Sequence, residues 1–291
     1  MTRRARAFVL VAAGPGGRAR AERGAALLAS SAAAGAVRGV AVDGPAGALA
    51  AVRALDGDET PIAVGGDGTI NLLARALLEA GLGARLFGIL PLGTGNAVAH
   101  ALGVVRERAA LDALVTGEVQ ALDVFLTDHP EAPVVVASVS VGMEARFIHR
   151  LAAERAAGRG WTLGRAALAS HLVRGRVSGV LLELDGRAVV RPAERIYNAG
   201  LYNYPTYGFG APVLPSASPC DGVGEAQVRR GPGVYWRALL LGARGRLAPL
   251  PWRTAVLECA EPTQIDGEPG PAGRFAVRLA PGALRVLVPA G

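Results

Sequence analysis

As far as Leu122 the chain alternates short apolar runs with longer helix-forming runs. Phe8 to Val11, Val37 to Val42, Ile62 to Val64 and Leu86 to Leu90 are strand-length stretches, and most are followed by glycine- or proline-containing loops and Ala- and Leu-rich segments. Near-continuous apolar runs of this length belong to strands buried on both faces, as in a parallel sheet. The intervening segments predict helices over Arg20–Ala36, Gly47–Leu55, Leu72–Glu79, Ala97–Leu102 and Glu107–Val115. The order βαβαβαβ predicts an α/β domain with a mostly parallel sheet.

From Asp123 the texture changes. Short β runs, Val134–Val141, Val180–Leu184, Ile196–Leu201, Gly224–Val228, Thr254–Cys259, Phe275–Leu279 and Leu284–Val288, are separated by Gly, Pro and Asp turns. They predict an antiparallel β-sandwich. The expected organisation is therefore a first domain over residues 1–122 and a second over 123–291. A helix is expected over Glu144–Val173, where Phe147, Ile148 and Leu151 mix with Arg146, Arg150, Arg155, Arg159 and Arg165. An amphipathic helix covering the sandwich is preferred to one resting on a membrane surface or lining a lipid cleft.

Composition narrows the classes. An apolar fraction of 51% supplies ample core, and the formal charge of +7 rests on arginine, which suits phosphates or an anionic surface. Only 5% of residues are aromatic and no nucleic-acid motif is present, so no nucleic-acid partner is expected. Cys220 and Cys259 form neither a metal quartet nor a disulfide framework, and a reducing cytoplasm is expected. Arg3, Arg4 and Arg6 ahead of Ala7–Ala13 imitate a signal peptide, but the run is short and ends in Gly14-Pro15-Gly16-Gly17, so a first strand is expected. The four histidines and Trp161, Trp236 and Trp252 form no motif and read as surface or packing residues.

Two loops carry chemistry. Gly65-Gly66-Asp67-Gly68-Thr69-Ile70-Asn71 joins a strand to a helix, and Pro91-Leu92-Gly93-Thr94-Gly95-Asn96 does the same one unit later. Glycines let a backbone approach a bulky ligand, and the N–H groups of a helix start favour an anion. No Gly-Lys-Ser/Thr follows, so this is not a P-loop, and the Gly-x-Gly-x-x-Gly dinucleotide fingerprint does not fit. An acid beside phosphates, Asp67, points to a metal ion or a proton acceptor. Successive parallel units place both loops at one sheet edge, where one nucleotide can touch both.

The pair of loops at this spacing resembles the catalytic domain of diacylglycerol kinases, a family that includes bacterial lipid kinases and sphingosine kinases. NAD kinases share the first loop but are not known by the second. The resemblance implies a Rossmann-like α/β nucleotide-binding domain and a C-terminal β-sandwich domain for lipid, whose last strand can return to the first domain. It implies ATP as phosphate donor, Mg²⁺, and a lipid hydroxyl, diacylglycerol- or sphingoid-like, as acceptor at a membrane surface. A cytoplasmic protein peripheral to the inner membrane face is expected, and relatives often pair as homodimers. ATP would lie on Gly65, Gly66, Asp67, Gly68, Thr69, Asn71, Gly93, Thr94 and Asn96. In Tyr204–Val223, Asp221 would hold a structural magnesium with the carbonyls of Ser218 and Val223, although Asp221-Gly222 also reads as a plain turn. In Gln264–Pro269, Glu268 would be the proton acceptor with Asp266 as its partner, where a hairpin tip is the plainer reading. Asp123 and Glu144 read as solvated acids near the domain junction. Where the family commonly reads Asn-Pro-x-Ser-Gly, this chain has Ala12-Ala13-Gly14-Pro15-Gly16, and Val42 stands where relatives often carry Thr. The alternatives are an NAD kinase-like enzyme and a relative that binds nucleotide or lipid without transferring phosphate.

Overall fold

The structure, a computed structural model, describes residues 7–14, 16–31, 35–93, 95–158, 175–206, 214, 216–231, 233 and 248–290. Thr94, Trp161, His171, Trp236 and the segment Tyr207–Val213 lie outside them. So does the end of the helix expected over Glu144–Val173.

In chain order the elements are β1 (Ala7–Ala13), α1 (Gly17–Ala29), β2 (Ala36–Val42), α2 (Gly44–Arg53), β3 (Glu59–Gly65), α3 (Asp67–Glu79), β4 (Leu86–Pro91), α4 (Ala97–Ala101) and α5 (Glu107–Thr116). They continue as β5 (Glu118–Thr127), β6 (Val134–Val135), β7 (Ser138–Gly142), α6 (Met143–Ala156), β8 (Val180–Leu184), β9 (Arg187–Val190), β10 (Asn198–Tyr202) and β11 (Gly224–Arg229). The last are β12 (Leu250–Trp252), β13 (Thr254–Cys259), β14 (Gln264–Ile265), β15 (Glu268–Pro269) and β16 (Gly273–Val288). The chain divides into two compact units between Asp123 and Val124, and residues from Pro281 onward belong to the first unit.

In the first unit β2, β1, β3 and β4 form a parallel sheet in that order, and Arg285 and Val286 of β16 extend it beside Leu86 and Phe87 of β4. Val9, Leu10, Ile62, Val64 and Leu90 are buried, as near-continuous apolar strands require. Helix α1 lays Ala21, Gly24 and Leu28 on this sheet, where a Cβ at Gly24 would meet Leu90, Leu10 and Val64 side chains at 3.2–3.3 Å. The helix ends at Ala29, short of the expected Ala36. The hydroxyls of Ser30 and Ser31 bond back to the carbonyls of Leu27 and Leu28, and serine in this role competes with helix continuation.

The second unit contains two antiparallel groups of strands. One is the six-stranded sheet β12-β11-β10-β7-β14-β15, and the other carries Gly273–Arg278 of β16 against β13, then β8 and β9. Val139, Val141, Ala199, Leu201 and Ala226 from the first share one core with Leu182, Leu184, Leu257, Phe275 and Val277 from the second. Trp252 packs in that core against Phe125, and His129 stacks on Phe275. The run expected as one strand over Val134–Val141 is two strands. Its middle backbone amides leave the ladder for a side chain described below. The runs expected as separate strands at Phe275–Leu279 and Leu284–Val288 are one, with Gly282 at φ 56°. Helix α6 ends at Ala156, and Arg146 and Arg150 on it pair with Glu261 and Glu154. Among the described residues no helix is long and apolar enough to cross a membrane.

Candidate nucleotide and proton-transfer sites

In the first unit the strand order places β1 between β2 and β3, so the chain leaves β1 in one direction and continues to β3 in the other. The carboxyl ends of β1 and β3 flank the crevice where open α/β sheets take their ligands. Helices α1 and α3 begin at that edge with Gly16 and Gly66 as caps, and neither has a side-chain cap bond. The first-turn amides of α3, Asp67 and Gly68, have no intrahelical acceptor. Those of Thr69 and Ile70 are taken by the Gly66 carbonyl, at 2.9 and 3.2 Å.

The two glycine loops touch. A Cβ on Gly93 would collide with the Gly66 backbone and lie 2.6 Å from Asn96 Oδ1, so only glycine fits there. Gly93→Ala is expected to destabilise the protein by about 2 kcal/mol through overpacking and to weaken ATP binding, as a urea melt and a calorimetric titration would show. The Asp67 carboxylate bridges the same loops, accepting the Ala97 and Val98 amides at the start of α4 at 3.0 and 2.9 Å. Asn96, at φ 47°, donates to the Gly93 and Pro91 carbonyls at 3.0 and 3.4 Å. Asp67 thus holds the second loop in place, a role the local sequence did not indicate. Asp67→Ala is expected to cost about 3 kcal/mol, since two charge-assisted bonds are lost, and to lower ATP affinity in parallel. Melting and calorimetry check it.

In the second unit the hairpin β14–β15 turns through Asp266 and Gly267 at φ 52° and 82°. Two successive positive φ angles are the mark of a tight two-residue turn matched to strand twist. The Asp266 carboxylate accepts the backbone amides of Val136, Ala137 and Ser138 at 2.9, 2.6 and 2.9 Å. It is these bonds that break the strand between β6 and β7. Asp266 therefore places the hairpin, which differs from its expected part as a chemical partner of Glu268. Gln264 adds bonds to the Ser138 and Ser140 hydroxyls, and its Oε1 accepts the Gly267 amide. From α6, Arg146 pairs with Glu261 and His149 Nε2 meets the Thr263 carbonyl at 2.8 Å, both beside the hairpin's entry. Glu268 stands exposed on β15 opposite Ile265.

Asp123 and Glu144 are not solvated acids. Asp123 is buried and accepts the Gly282 amide at 2.7 Å, and Glu144 is buried and accepts the Tyr202 hydroxyl at 2.9 and 2.8 Å. Asn198 completes this cluster, donating to the Tyr202 oxygen and accepting the Glu144 amide.

Asp221 lies exposed in a turn with Gly222 at φ 73° and accepts the Val223 amide at 3.0 Å. Glu225, four residues on at the start of β11, is buried, and burial together with the Asp221 charge pushes its carboxyl up to about 8. Among the described residues, no group of three or more His, Cys, Asp or Glu side chains gathers as a metal site, so a cation here would need backbone carbonyls or water besides these acids. The exposed Asp221 carboxylate and the carbonyls of Ser218 and Val223 are oxygen donors of the kind a hydrated Mg²⁺ takes. The Cys259 thiol is buried and pushed up to about 11, which leaves it unreactive.

A parallel sheet with paired glycine loops at its carboxyl edge, followed by an antiparallel sandwich, is the fold that solved diacylglycerol kinase and NAD kinase structures share with this chain. Residues 6–127 match the model of the diacylglycerol kinase catalytic domain family. A Pseudomonas aeruginosa (strain UCBPP-PA14) protein named "Probable lipid kinase YegS-like" is 29% identical over 275 residues, 88% of this chain and 85% of its own. A Xanthomonas euvesicatoria pv. vesicatoria (strain 85-10) protein of the same name is 28% identical over 264 residues, 85% and 84% of the two chains. The crystal structure of a diacylglycerol kinase from Bacillus anthracis str. Sterne superposes with a TM-score of 0.72 at 16% identity, covering 99% of this chain and 98% of that one. An NAD kinase from Archaeoglobus fulgidus in complex with ATP gives a TM-score of 0.52 at 14% identity, covering 98% and 94%. At these identities the two structures speak for the fold.

Proposed function

We propose that the chain is an ATP- and Mg²⁺-dependent lipid kinase that phosphorylates the hydroxyl of a diacylglycerol- or sphingoid-like lipid. The observation that carries the reading is the Asp67 carboxylate tying the second glycine loop to the first at the carboxyl edge of the sheet. The backbone at Gly65, Gly66, Asp67 and Gly68, with Thr69, Asn71, Gly93, Thr94 and Asn96, holds the triphosphate. Glu268 accepts the proton of the lipid hydroxyl as its oxygen attacks the γ-phosphorus and the bond to the β-phosphate oxygen breaks. Mg²⁺, when bound, neutralises charge on the phosphates, and a structural Mg²⁺ is assigned to Asp221 with the carbonyls of Ser218 and Val223. The lipid is met at a membrane surface on the cytoplasmic side, by a protein that pairs with a second copy and binds no nucleic acid.

The test is transfer of labelled γ-phosphate from ATP·Mg²⁺ into a total lipid extract, with Asp67→Ala as control. A labelled lipid that the variant makes far more slowly supports the proposal, and its mass names the acceptor. No labelled lipid from protein that binds ATP overturns it. Label found in NAD instead would assign the chain to the NAD kinase reading, which the fold alone also admits.

A further inference from the structure

Glu268 stands on β15, the outer strand of its sheet, which has two residues and pairs with β14. So short a ladder does little to fix a side chain, and the place of Glu268 is set by what holds the two ends of the hairpin. The turn end is held by Asp266 and Gln264, through their bonds to Val136–Ser138 and Ser140. The open end is closed by Thr263. Its amide and hydroxyl bond the Pro271 carbonyl at 3.3 and 2.9 Å, and its own carbonyl accepts the Gly270 amide at 2.9 Å. Glu268 lies midway in sequence between Asp266 and Gly270.

Helix α6 holds that open end. Arg146 and His149, three apart on the helix, share a face. Arg146 Nε and Nη2 donate to the two carboxylate oxygens of Glu261 at 2.9 and 2.7 Å, and Nη1 donates to the Gly175 carbonyl at 2.8 Å. Glu261 lies in the connection by which the chain leaves β13 for β14. His149 Nε2 meets the Thr263 carbonyl at 2.8 Å; a carbonyl only accepts, so Nε2 carries the proton. That carbonyl is the one that takes the Gly270 amide. The helix is itself fixed at its first turn, where Asn198 accepts the Glu144 amide at 3.0 Å and Tyr202 donates to the Glu144 carboxylate, all three side chains being buried.

We propose that Arg146 and His149 are positioning residues for the proton acceptor: α6 fixes the open end of the hairpin, and Glu268 keeps its place between two anchors. One anchor at the turn would leave the hairpin free to pivot. A partly exposed ion pair adds little to global stability, whereas a two-bond fork between guanidinium and carboxylate fixes orientation. The inference rests on the reading of Glu268 as the base of a lipid kinase.

Phosphate transfer would be measured for Arg146→Ala, Arg146→Lys, His149→Leu and His149→Gln, each alone and combined with Glu268→Gln. A misplacement of about 1 Å costs up to about 10²-fold, so Arg146→Ala and His149→Leu are expected to lower kcat by about 10- to 10²-fold, with KM for ATP unchanged. His149→Gln keeps a donor near the place of Nε2 and should retain most of the rate. Arg146→Lys keeps the charge without the fork and should fall between wild type and alanine. Residues that act through Glu268 cost nothing more once it is gone, so in the Glu268→Gln background each change is expected to stay within about twofold. An equal loss in both backgrounds, the mark of a general structural role, overturns the proposal, as does a wild-type kcat in both Arg146→Ala and His149→Leu. Melting temperatures are expected to move by no more than about 4 °C, and Arg146→Lys supplies the same comparison if the alanine variant does not fold.

Hydrogen exchange at the Gly270 amide, followed without ATP or lipid, separates this inference from the kinase reading. Faster exchange there in the variants, with no transfer by wild type, sinks the kinase and keeps α6 as the support of the hairpin. Transfer by wild type, with kcat and Gly270 exchange unchanged in the variants, keeps the kinase and removes α6 from the positioning of Glu268.

Discussion

Glu268→Gln is expected to slow phosphate transfer to lipid by about 10²- to 10⁴-fold, the range that loss of a positioned general base produces. A lipid hydroxyl is a poor nucleophile at neutral pH. Its proton must leave as the oxygen–phosphorus bond forms, and glutamine has the size of glutamate but cannot take it. The substitution should leave the fold alone. Glu268 is exposed on β15, and the hairpin is held by Asp266 and Gln264, so the change in stability is expected within about 0.5 kcal/mol. ATP affinity should also be unchanged, because the glycine loops belong to the other unit. Three readouts on one variant therefore separate a proton acceptor from a structural acid: the transfer rate falls while the melting temperature and the calorimetric ATP affinity hold. A variant as fast as wild type would remove Glu268 from the chemistry.

The parts that the sequence made legible are those in which neighbours in the chain act together. The buried strands of the first unit and the paired glycine loops are local patterns, and β8, expected over Val180–Leu184, has those limits in the structure. What was hidden depends on distant partners. Asp266 bonds amides about 130 positions earlier in the chain, and no local pattern announces that a turn aspartate will be consumed by another strand's backbone. Asp67 has the same character on a smaller scale: the Gly-Gly-Asp-Gly motif advertises phosphate chemistry, while the bonds to Ala97 and Val98 come from the next loop. Asp123, Glu144 and Glu225 were illegible for a second reason. Charge predicts exposure on average, and each of these acids is buried by tertiary packing. Buried acids with specific partners, such as Asp123 with the Gly282 amide and Glu144 with the Tyr202 hydroxyl, are also where a fold spends its polar interactions, so the sequence rule fails at residues with defined structural roles.

The largest loss of stability is expected from Asp266→Ala, about 4 kcal/mol in urea unfolding. The Asp266 carboxylate satisfies three amides, two through Oδ1 and one through Oδ2. Each buried amide left without its acceptor costs about 1–3 kcal/mol, and alanine at φ 52° adds backbone strain. Two further variants divide these causes. Asp266→Gly tolerates the left-handed backbone but has no acceptor, so it should recover only the strain, roughly 1 kcal/mol. Asp266→Asn keeps one oxygen for Ala137 and Ser138 but turns an amide nitrogen toward the Val136 N–H, so it should fall between wild type and alanine. Hydrogen exchange localises the effect: the amides of 136–138 should lose protection in Asp266→Ala well before those of β13, which pairs on both sides with β8 and β16. Because the same bonds set the position of the hairpin that carries Glu268, phosphate transfer should fall in Asp266→Ala along with stability. The contrast with Glu268→Gln, expected to lose the rate and keep the fold, would distinguish a positioning acid from a proton acceptor. Wild-type stability in Asp266→Ala, or unchanged exchange at 136–138, would refute the positioning role.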